Sequence, residues 1–156
     1  MMRSRFTQLY LHLVWSTRSR YPYLADLELR RTVYECIGAV CTGLRCDVLA
    51  IGGTADHVHV LLRPAVTVAP AEVVKRIKGA SSHMVNHEIR GRKYFRWQGG
   101  YGAFSVSKRH VPMIRNYVLN QEEHHREQRV YDILEPPPAQ HANAGEGVRA
   151  ADFGPL

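Results

Sequence analysis

Hydrophobic residues along the chain follow two periods, one typical of strands and one typical of helices. Residues 6–17 (FTQLYLHLVWST) are apolar on both parities, which predicts a central strand covered on two sides. Shorter strands are predicted at residues 45–51 and 57–62, joined as a hairpin by the turn-prone sequence GGTAD. Residues 103–107 (AFSVS) predict a fourth strand.

Three further stretches carry apolar residues at helical spacing between recognisable start and stop signals. The predicted helices run from Asp26 to Gly43, from Pro70 to about Gly91 and from Pro112 to about Arg129. The element order is therefore β-α-β-β-α-β-α. It predicts an α+β fold, a ferredoxin-like β-α-β-β-α-β antiparallel sheet with an additional C-terminal helix that carries a tyrosine.

The composition of the chain changes at residue 135. From there the sequence reads EPPPAQHANAGEGVRAADFGPL, in which consecutive prolines and small polar residues leave no face that could join a core. The 156-residue chain is therefore predicted to form one domain over residues 1–134, followed by a flexible Pro/Gly/Ala-rich tail over residues 135–156.

Two histidines lie one residue apart in the predicted strand of residues 57–62. Because side chains alternate between the faces of a strand, His57 and His59 share one face, while Val58 and Val60 share the other. If the apolar face packs under the crossover helices, the histidines point to the opposite face, where the third helix can dock. Two polar residues on a solvated face would give the same pattern, so the pair indicates chemistry only together with other groups.

The third predicted helix offers such groups. Tyr117 and Gln121 are four residues apart and lie one above the other, about 6 Å apart along the helix axis. His124 continues the same edge, which carries no apolar residue. A tyrosine beside a carboxamide on such an edge suits a nucleophile next to a metal ligand better than it suits a plain core.

These residues define a candidate reaction. Two imidazoles and the Gln121 oxygen suit a divalent metal, Mg²⁺ or Mn²⁺, that polarises a phosphodiester. Tyr117 would attack the phosphorus and form a 5′-phosphotyrosine, an ester that keeps the energy needed to rejoin strands. His57, His59 and Gln121 are the predicted metal ligands, and Tyr117 is the predicted nucleophile.

Other polar residues have simpler interpretations. His12, within the first strand, is predicted to be a satisfied core or sheet-face histidine. His83 and His87 have a spacing that could bind metal, but no third ligand lies nearby in the sequence, which favours a solvated or DNA-facing role. Asp56 is predicted to finish the hairpin turn, or else to orient a histidine from beside the metal.

The charge of the chain indicates a polyanionic partner. Lys and Arg number 21 against 14 Asp and Glu, which gives a formal net charge of +7. The predicted DNA-binding residues are Arg18, Arg20, Lys75, Lys78, Lys93, Arg96, Lys108 and Arg109. The neighbouring aromatic residues Tyr94, Phe95, Trp97 and Tyr101 either stack on unpaired bases or pack the loop. No apolar run approaches the about 20 residues that span a bilayer, so we expect no membrane partner and a cytoplasmic location.

Five segments, in the same order and across about residues 6–129, resemble a known family. They are HLVWSTRSR, ADHVHVLL, VVKRIKGASS, WQGGYGAFSVS and IRNYVLNQEEHH, and they resemble the single-tyrosine HUH transposases of the insertion-sequence-200 type. The resemblance implies that the family's metal-binding histidines are His57 and His59, its nucleophile Tyr117 and its third ligand Gln121. It also implies a single-stranded DNA substrate, often with a hairpin, and a homodimer in which the tyrosine helix of one chain serves the histidines of the other.

The predicted activity is that of a metal-dependent DNA transposase that cleaves and rejoins single strands. A domesticated relative acting on chromosomal repeat hairpins would keep the same chemistry. A non-catalytic module that binds single-stranded nucleic acid would need neither Tyr117 nor Gln121, and a metal phosphoesterase that uses water would need the histidines but not Tyr117. Sensitivity to the loss of Tyr117 therefore separates these classes.

Overall fold

Four antiparallel strands form one sheet in the computed structural model, which describes residues 6–89, 95–131 and 134–135. The strands are β1 (Tyr10–Ser16), β2 (Asp47–Gly53), β3 (His57–Arg63) and β4 (Gly102–Val106). Their spatial order is β2-β3-β1-β4, so β1 and β3 occupy the centre. The helices are α1 (Leu27–Gly43), α2 (Pro70–His87), α3 (Val111–Leu119) and α4 (Gln121–Arg126), with 3₁₀ turns at Arg18–Arg20, Tyr23–Ala25 and Lys108–His110. The predicted ferredoxin-like α+β fold is confirmed.

Helices α1 and α2 cover one face of the sheet. Helix α1 begins where the Asp26 carboxylate accepts hydrogen bonds from the backbone N–H groups of Glu28 and Leu29, at 3.0 and 3.2 Å. Helix α2 begins at Pro70, where a missing N–H costs nothing. The sheet residues buried under both helices are Leu13, Trp15, Val58, Val60 and Leu62. Each such side chain stabilises the fold by roughly 1.5–3 kcal/mol relative to exposure in water.

Helix α3 covers the opposite face, as predicted for the third helix. Ile114 and Val118 of this helix pack on Leu61 of β3 in a second, smaller core cluster. The backbone of α3 also comes very close to β2, since a Cβ atom placed on Gly52 would lie 1.8 Å from the carbonyl oxygen of Val118. Glycine at this position therefore lets the helix backbone lie directly on the sheet.

The single third helix predicted to run to about Arg129 is wrong beyond Leu119. The chain leaves helical geometry at Asn120, whose φ and ψ are −113° and 32°, and resumes as the short α4. The side-chain amide of Gln121 donates to the carbonyl oxygen of Tyr117 at 3.2 Å, across the break between the two helices. Apolar periodicity does not register such a break, because the residues on both sides still have helical spacing.

A left-handed residue ends α4 and turns the chain back. Gln128 has a φ of +55°, its N–H donates to the carbonyl of His125 at 3.2 Å, and the N–H of Arg129 donates to the carbonyl of His124 at 2.8 Å. This double hydrogen bond is a Schellman turn, which usually has glycine at the left-handed position. The turn directs Tyr131, Leu134 and Glu135 back toward α3.

The predicted tail begins at Glu135, which is described and lies against α3 and β3. Residues 136–156 lie outside the described residues, so the boundary between domain and tail stays a prediction. Across the ranges that the structure does describe, no helix combines the length and the apolar character that crossing a membrane requires.

Candidate active site

Strand β3 holds the histidine pair on the face that α3 covers. In the register with β1, His57 lies opposite Ser16 and His59 lies opposite Val14. Both imidazoles are almost fully buried, with 1% and 0% of their surfaces exposed. The alternative of a solvated strand face therefore does not apply to this pair, and the other side of β3 packs in the main core as predicted.

Nδ1 of His57 is held by the turn between β2 and β3. Nδ1 of His57 lies 2.7 Å from the Asp56 carboxylate and 3.0 Å from the Thr54 hydroxyl. A carboxylate only accepts hydrogen bonds, so Nδ1 carries the proton and donates it, and in the neutral imidazole Nε2 keeps its lone pair. The hydrogen bond from His57 lowers the pKa of Asp56. Asp56 ends the turn and also orients His57, so both roles considered from the sequence apply to it.

Gln121 points its side-chain oxygen at Nε2 of His57. Its Oε1 lies 3.2 Å from Nε2 of His57, while its amide nitrogen is engaged by the Tyr117 carbonyl. The amide orientation is thus fixed by the break between α3 and α4. Gln121 is 1% exposed, so its side chain is part of the interior beside the histidines.

Tyr117 projects from α3 toward the same histidines. Its ring meets His59 edge to face, with centroids 5.8 Å apart, and only 1% of the residue is exposed. The hydroxyl donates to the carboxylate of Glu135 and accepts from the backbone N–H of Tyr131 at 3.2 Å. Burial, together with the Glu135 hydrogen bond, raises the pKa of Tyr117 to about 12.

Glu135 is a site residue that the sequence analysis missed. Its carboxylate lies 3.3 Å from Nε2 of His57, 3.6 Å from Nε2 of His59 and 3.4 Å from Nε2 of His125. Burial raises the pKa of Glu135, but its contacts with His59 and Tyr117 outweigh burial and bring it to about 2. The EPPP sequence offered no periodic signal, since the position of Glu135 depends on the turn at Gln128.

Three further histidines surround this centre. His124, predicted to share the edge of Tyr117, packs against the Tyr117 ring with centroids 4.9 Å apart. His125, the next residue of α4, instead faces His57, at a centroid distance of 4.8 Å. His12, predicted to be a core or sheet-face histidine, is fully buried and lies 2.8 Å from His59 through ring nitrogens. Burial lowers the pKa of His12 to about 3 and also lowers that of His59.

The donor set fits a divalent metal. Nε2 of His57 lies 3.2 Å from Oε1 of Gln121 and 3.3 Å from a carboxylate oxygen of Glu135, and Nε2 of His59 is buried with no hydrogen-bond partner among the described residues. Ligand atoms of His57, His59 and Glu135 all lie within 4.8 Å of one another. Two imidazole nitrogens and the nearby carboxylate and carboxamide oxygens are donor atoms that suit Mn²⁺ or Mg²⁺.

Five of the eight predicted DNA-binding residues lie near the two opposite ends of the sheet. Arg18 and Arg20 follow β1 beside the histidine end, and the N–H of Arg18 donates to the carbonyl of Arg96 at 2.9 Å. Lys108 and Arg109 follow β4, past the point where Val106 pairs with Tyr10 at the far end of β1. Lys93 lies outside the described residues.

The two lysines of α2 differ in their surroundings. Lys75 is exposed, whereas Lys78 is half-buried and donates from its ammonium to the carbonyls of Gln98, at 2.8 Å, and Gly100, at 2.5 Å. Lys78 therefore ties α2 to the segment that carries Arg96. Burial lowers the pKa of Lys78 to about 8.

Two of the aromatic residues in this region pack the loop. Phe95 is buried against Trp97, which donates from its indole N–H to the Ser81 hydroxyl at 2.8 Å. Asn86 pairs with both backbone groups of Phe95, at 2.9 Å each. The packing interpretation applies to Phe95 and Trp97, whereas Tyr101 is 37% exposed and Tyr94 lies outside the described residues.

The family model described as "Transposase IS200 like" matches residues 5–121, which include the histidine pair, Tyr117 and Gln121. The chain belongs to the IS200-like transposases. The resemblance drawn from the sequence motifs is thereby confirmed, and membership of this IS200-like transposase family implies nuclease and strand-transferase activity. No curated protein matches the chain.

Two solved structures share the fold of this IS200-like transposase. One, a crystal structure of a candidate transposase from Deinococcus radiodurans R1, is 25% identical, with a TM-score of 0.62 over 78% of this chain and 96% of that chain. The other is a REP-associated tyrosine transposase bound to a REP hairpin, 16% identical, with a TM-score of 0.57 over 96% of this chain and 100% of that chain. At that identity the second structure is a likeness of fold alone.

Proposed function

We propose that this IS200-like transposase cleaves and rejoins single-stranded DNA by attack of the Tyr117 hydroxyl on a phosphodiester. The observation that carries the proposal is the shared location of the groups this reaction needs. Buried Tyr117 lies beside two buried imidazoles and a carboxamide oxygen, and the Glu135 carboxylate contacts the Tyr117 hydroxyl and both imidazoles. Family membership supports the same reaction class.

We propose that His57, His59 and Gln121 hold a divalent ion, Mg²⁺ or Mn²⁺, and that Glu135 lies within reach of it. When bound, such an ion stabilises charge on the phosphoryl oxygens and on the departing oxygen. Asp56 and Thr54 hold His57 in the tautomer that this role requires. The break between α3 and α4 gives Gln121 its orientation.

Tyr117 is the proposed nucleophile. Its oxygen forms a bond to phosphorus while the bond from phosphorus to the 3′ oxygen breaks, which leaves a 5′-phosphotyrosine and a free 3′-hydroxyl. A 3′-hydroxyl can later attack this ester and release the tyrosine, so strands are joined without another energy source. The phenol loses its proton as it attacks, and the hydrogen-bond acceptor next to it is Glu135.

The proposed substrate is single-stranded DNA with a hairpin. The net charge of +7 and the exposed arginines beside the histidine end support an anionic strand as partner. The structural neighbour bound to a REP hairpin supports the hairpin by analogy of fold. A mobile-element role and a domesticated role on chromosomal repeats share this chemistry.

A homodimer is proposed as the assembly, following the family resemblance and the prevalence of two-fold oligomers. Within one chain Tyr117 already lies beside its own histidines, so the exchange of tyrosine helices that the resemblance implies is not needed to bring them together. Light scattering at micromolar concentration is expected to give twice 17.8 kDa. A mass of one chain, with and without DNA, would contradict the dimer.

The substitution Tyr117→Phe tests the proposed chemistry. It removes one hydroxyl, so fold and DNA affinity should stay near wild type, while cleavage and the covalent protein–DNA adduct should both disappear. The assay uses a labelled hairpin with a single-stranded flank, Mn²⁺ or Mg²⁺, and denaturing electrophoresis. Tyr10→Phe, at the far end of β1, is the matched control and should keep wild-type activity.

The other classes give different results in the same assay. Cleavage by Tyr117→Phe at the wild-type rate would make water the nucleophile and would favour a metal phosphoesterase. His57→Ala should abolish cleavage while preserving DNA binding, whereas Gln121→Ala should be milder, because water can replace one neutral ligand at a hard ion. Binding without any cleavage by wild type, on several strands, would favour the non-catalytic module.

A further inference from the structure

His12 and His59 form a buried pair of imidazoles across the two central strands. Nε2 of His12 lies 2.8 Å from Nδ1 of His59. The rings are nearly parallel, with an interplanar angle of 8° and centroids 5.0 Å apart. Both residues are 0% exposed, so water does not compete for this hydrogen bond.

The strand register makes the contact. Because β1 and β3 pair with His12 opposite Leu61 and with Val14 opposite His59, the two histidines are diagonal neighbours on one sheet face. Phe104, which lies opposite His12 on β4, packs on its ring at a centroid distance of 5.8 Å. His12 thus contacts side chains of the two neighbouring strands, His59 of β3 and Phe104 of β4. Among the ring contacts and hydrogen bonds of the described residues, His59 is the one site residue that His12 contacts.

A hydrogen bond between two ring nitrogens needs one donor and one acceptor. If His12 donates, His59 carries its own proton on Nε2, the nitrogen that faces Glu135 and the candidate metal position. If His59 donates from Nδ1, its Nε2 keeps a lone pair toward that position. Only the second arrangement lets His59 bind a metal, since the ligating nitrogen must be unprotonated.

We propose that His12 is a positioning residue that accepts a hydrogen bond from Nδ1–H of His59 and so fixes both the tautomer and the ring plane of this metal ligand. The inference rests on the proposed role of His59 as a metal ligand. His12 then does for His59 what Asp56 does for His57, from the opposite strand and with an imidazole instead of a carboxylate. Groups that hold a ligating histidine in this way commonly contribute about 10–100-fold in metal affinity.

The test measures Mn²⁺ binding to the full chain without DNA, by the electron paramagnetic resonance signal of free Mn²⁺. His12→Phe keeps a ring of similar size but removes the acceptor, and we expect its Mn²⁺ affinity to fall by about 10–100-fold. His12→Gln returns an oxygen acceptor near the position of Nε2, and we expect it to recover most of that affinity. The same order should hold for cleavage at subsaturating Mn²⁺, with the difference narrowing as Mn²⁺ is raised.

Two reference variants separate positioning from loss of stability and from failure of the metal site itself. Leu13→Ala lies on the same strand but on the other face, in the main core, so it should lower the free energy of unfolding and leave the Mn²⁺ affinity of the folded protein unchanged. His59→Ala should lose Mn²⁺ more completely than His12→Phe. If His59→Ala binds Mn²⁺ like wild type, the proposed metal site fails, and with it the role of His12.

Nitrogen NMR of the histidine rings, with Zn²⁺ as a diamagnetic probe, supplies a direct readout. The proposal expects His59 to be protonated at Nδ1 in wild type and in His12→Gln. A His59 that carries its proton elsewhere in Zn²⁺-bound wild type overturns the proposal. So does a Mn²⁺ affinity of His12→Phe within about threefold of wild type, given that His59→Ala has lost binding.

Discussion

At the scale of single residues, the Tyr117 hydroxyl is committed to two hydrogen bonds before any substrate is present. It donates to Glu135 and accepts from the backbone of Tyr131. Burial disfavours the phenolate, and the neighbouring Glu135 carboxylate disfavours it further, which together raise the pKa of Tyr117 to about 12. The proposed nucleophile is therefore protonated at neutral pH in this arrangement, and under the proposed chemistry its activation requires a change in what surrounds the hydroxyl.

The substitution Glu135→Ala tests this electrostatic account. Removing the carboxylate takes away both the acceptor and the negative charge, so the pKa of Tyr117 should fall from about 12 toward the value near 10 of an ordinary tyrosine. The measurement is a tyrosinate absorbance titration of the metal-free protein, with the matching Tyr117→Phe titration subtracted. An unchanged pKa would mean that burial alone sets it.

Single residues also mark the limit of what the sequence predicts. The two-residue period of β3 and the four-residue spacing of Tyr117 and Gln121 put these side chains on known faces, and the structure brings them together. Glu135 and His12 depend instead on a left-handed Gln128 and on the register of β1 with β3. The turn has no local sequence signature, because Gln128 is not a glycine. The register joins two strands that are far apart in the sequence, so no local pattern predicts it.

At the scale of elements, the packing of α3 on β2 determines where Tyr117 lies. The backbone of α3 contacts Gly52 of the sheet at Val118, the residue that follows Tyr117. Helix α4 is held separately, by Arg30 of α1, whose guanidinium contacts Glu122 while its Nε donates to the Leu24 carbonyl at 2.7 Å. The helices that carry Tyr117 and Gln121 thus contact different parts of the fold, while the Tyr117 carbonyl orients the Gln121 amide.

Gly52→Ala should move α3 away from the sheet. The added Cβ would overlap the carbonyl of Val118, and because that atom is backbone, the whole helix must shift. We expect a loss of about 2–4 kcal/mol in the free energy of unfolding, measured with denaturant, and a loss of adduct formation. Gly38→Ala in α1 is the matched control.

A methyl group at Gly38 meets no atom within 4 Å, and alanine is the better helix former. That variant should therefore gain about 0.5–1 kcal/mol and keep its activity. Equal stability of Gly52→Ala and wild type would show that α3 does not rest on the sheet at this point.

At the element scale, sequence periodicity predicted every strand and the first two helices, because each buries one regular face. It failed at the break after Leu119, where the Tyr117 carbonyl bonds a side-chain amide. The same break gives Gln121 its orientation, so the irregularity that the pattern could not register is also the one that shapes the candidate metal site.

At the scale of the whole molecule, two small groups of basic residues lie at opposite ends of the sheet. The group at Arg18 and Arg96 lies beside the histidine end of β1, while Lys108 and Arg109 lie at the other end. The length of β1, at about 3.3 Å per residue, separates them by roughly 20 Å. The His57 end of β3, where the proposed site lies, is at the first of these two ends.

Paired charge removal tests this division. Arg18→Ala with Arg96→Ala, and Lys108→Ala with Arg109→Ala, each lower the formal net charge of +7 by two. On a short single strand, the first pair should weaken binding and reduce the log-log salt slope by about 0.7 for each phosphate that is no longer neutralised. The Lys108→Ala, Arg109→Ala variant should change the DNA affinity and the salt slope much less. Both quantities are measured by fluorescence anisotropy across salt concentrations. Equal effects would mean that net charge alone governs binding.

The position of Tyr117 late in the chain has a consequence during synthesis. Residue 117 is made 60 positions after residue 57, a delay of about 3–12 s at the roughly 5–20 residues per second of translation. A nascent chain can pair β1, β2 and β3 and hold both histidines in this interval, yet it has no nucleophile. Under the proposed chemistry, the growing polypeptide is harmless to nearby DNA until α3 has emerged and settled over Gly52.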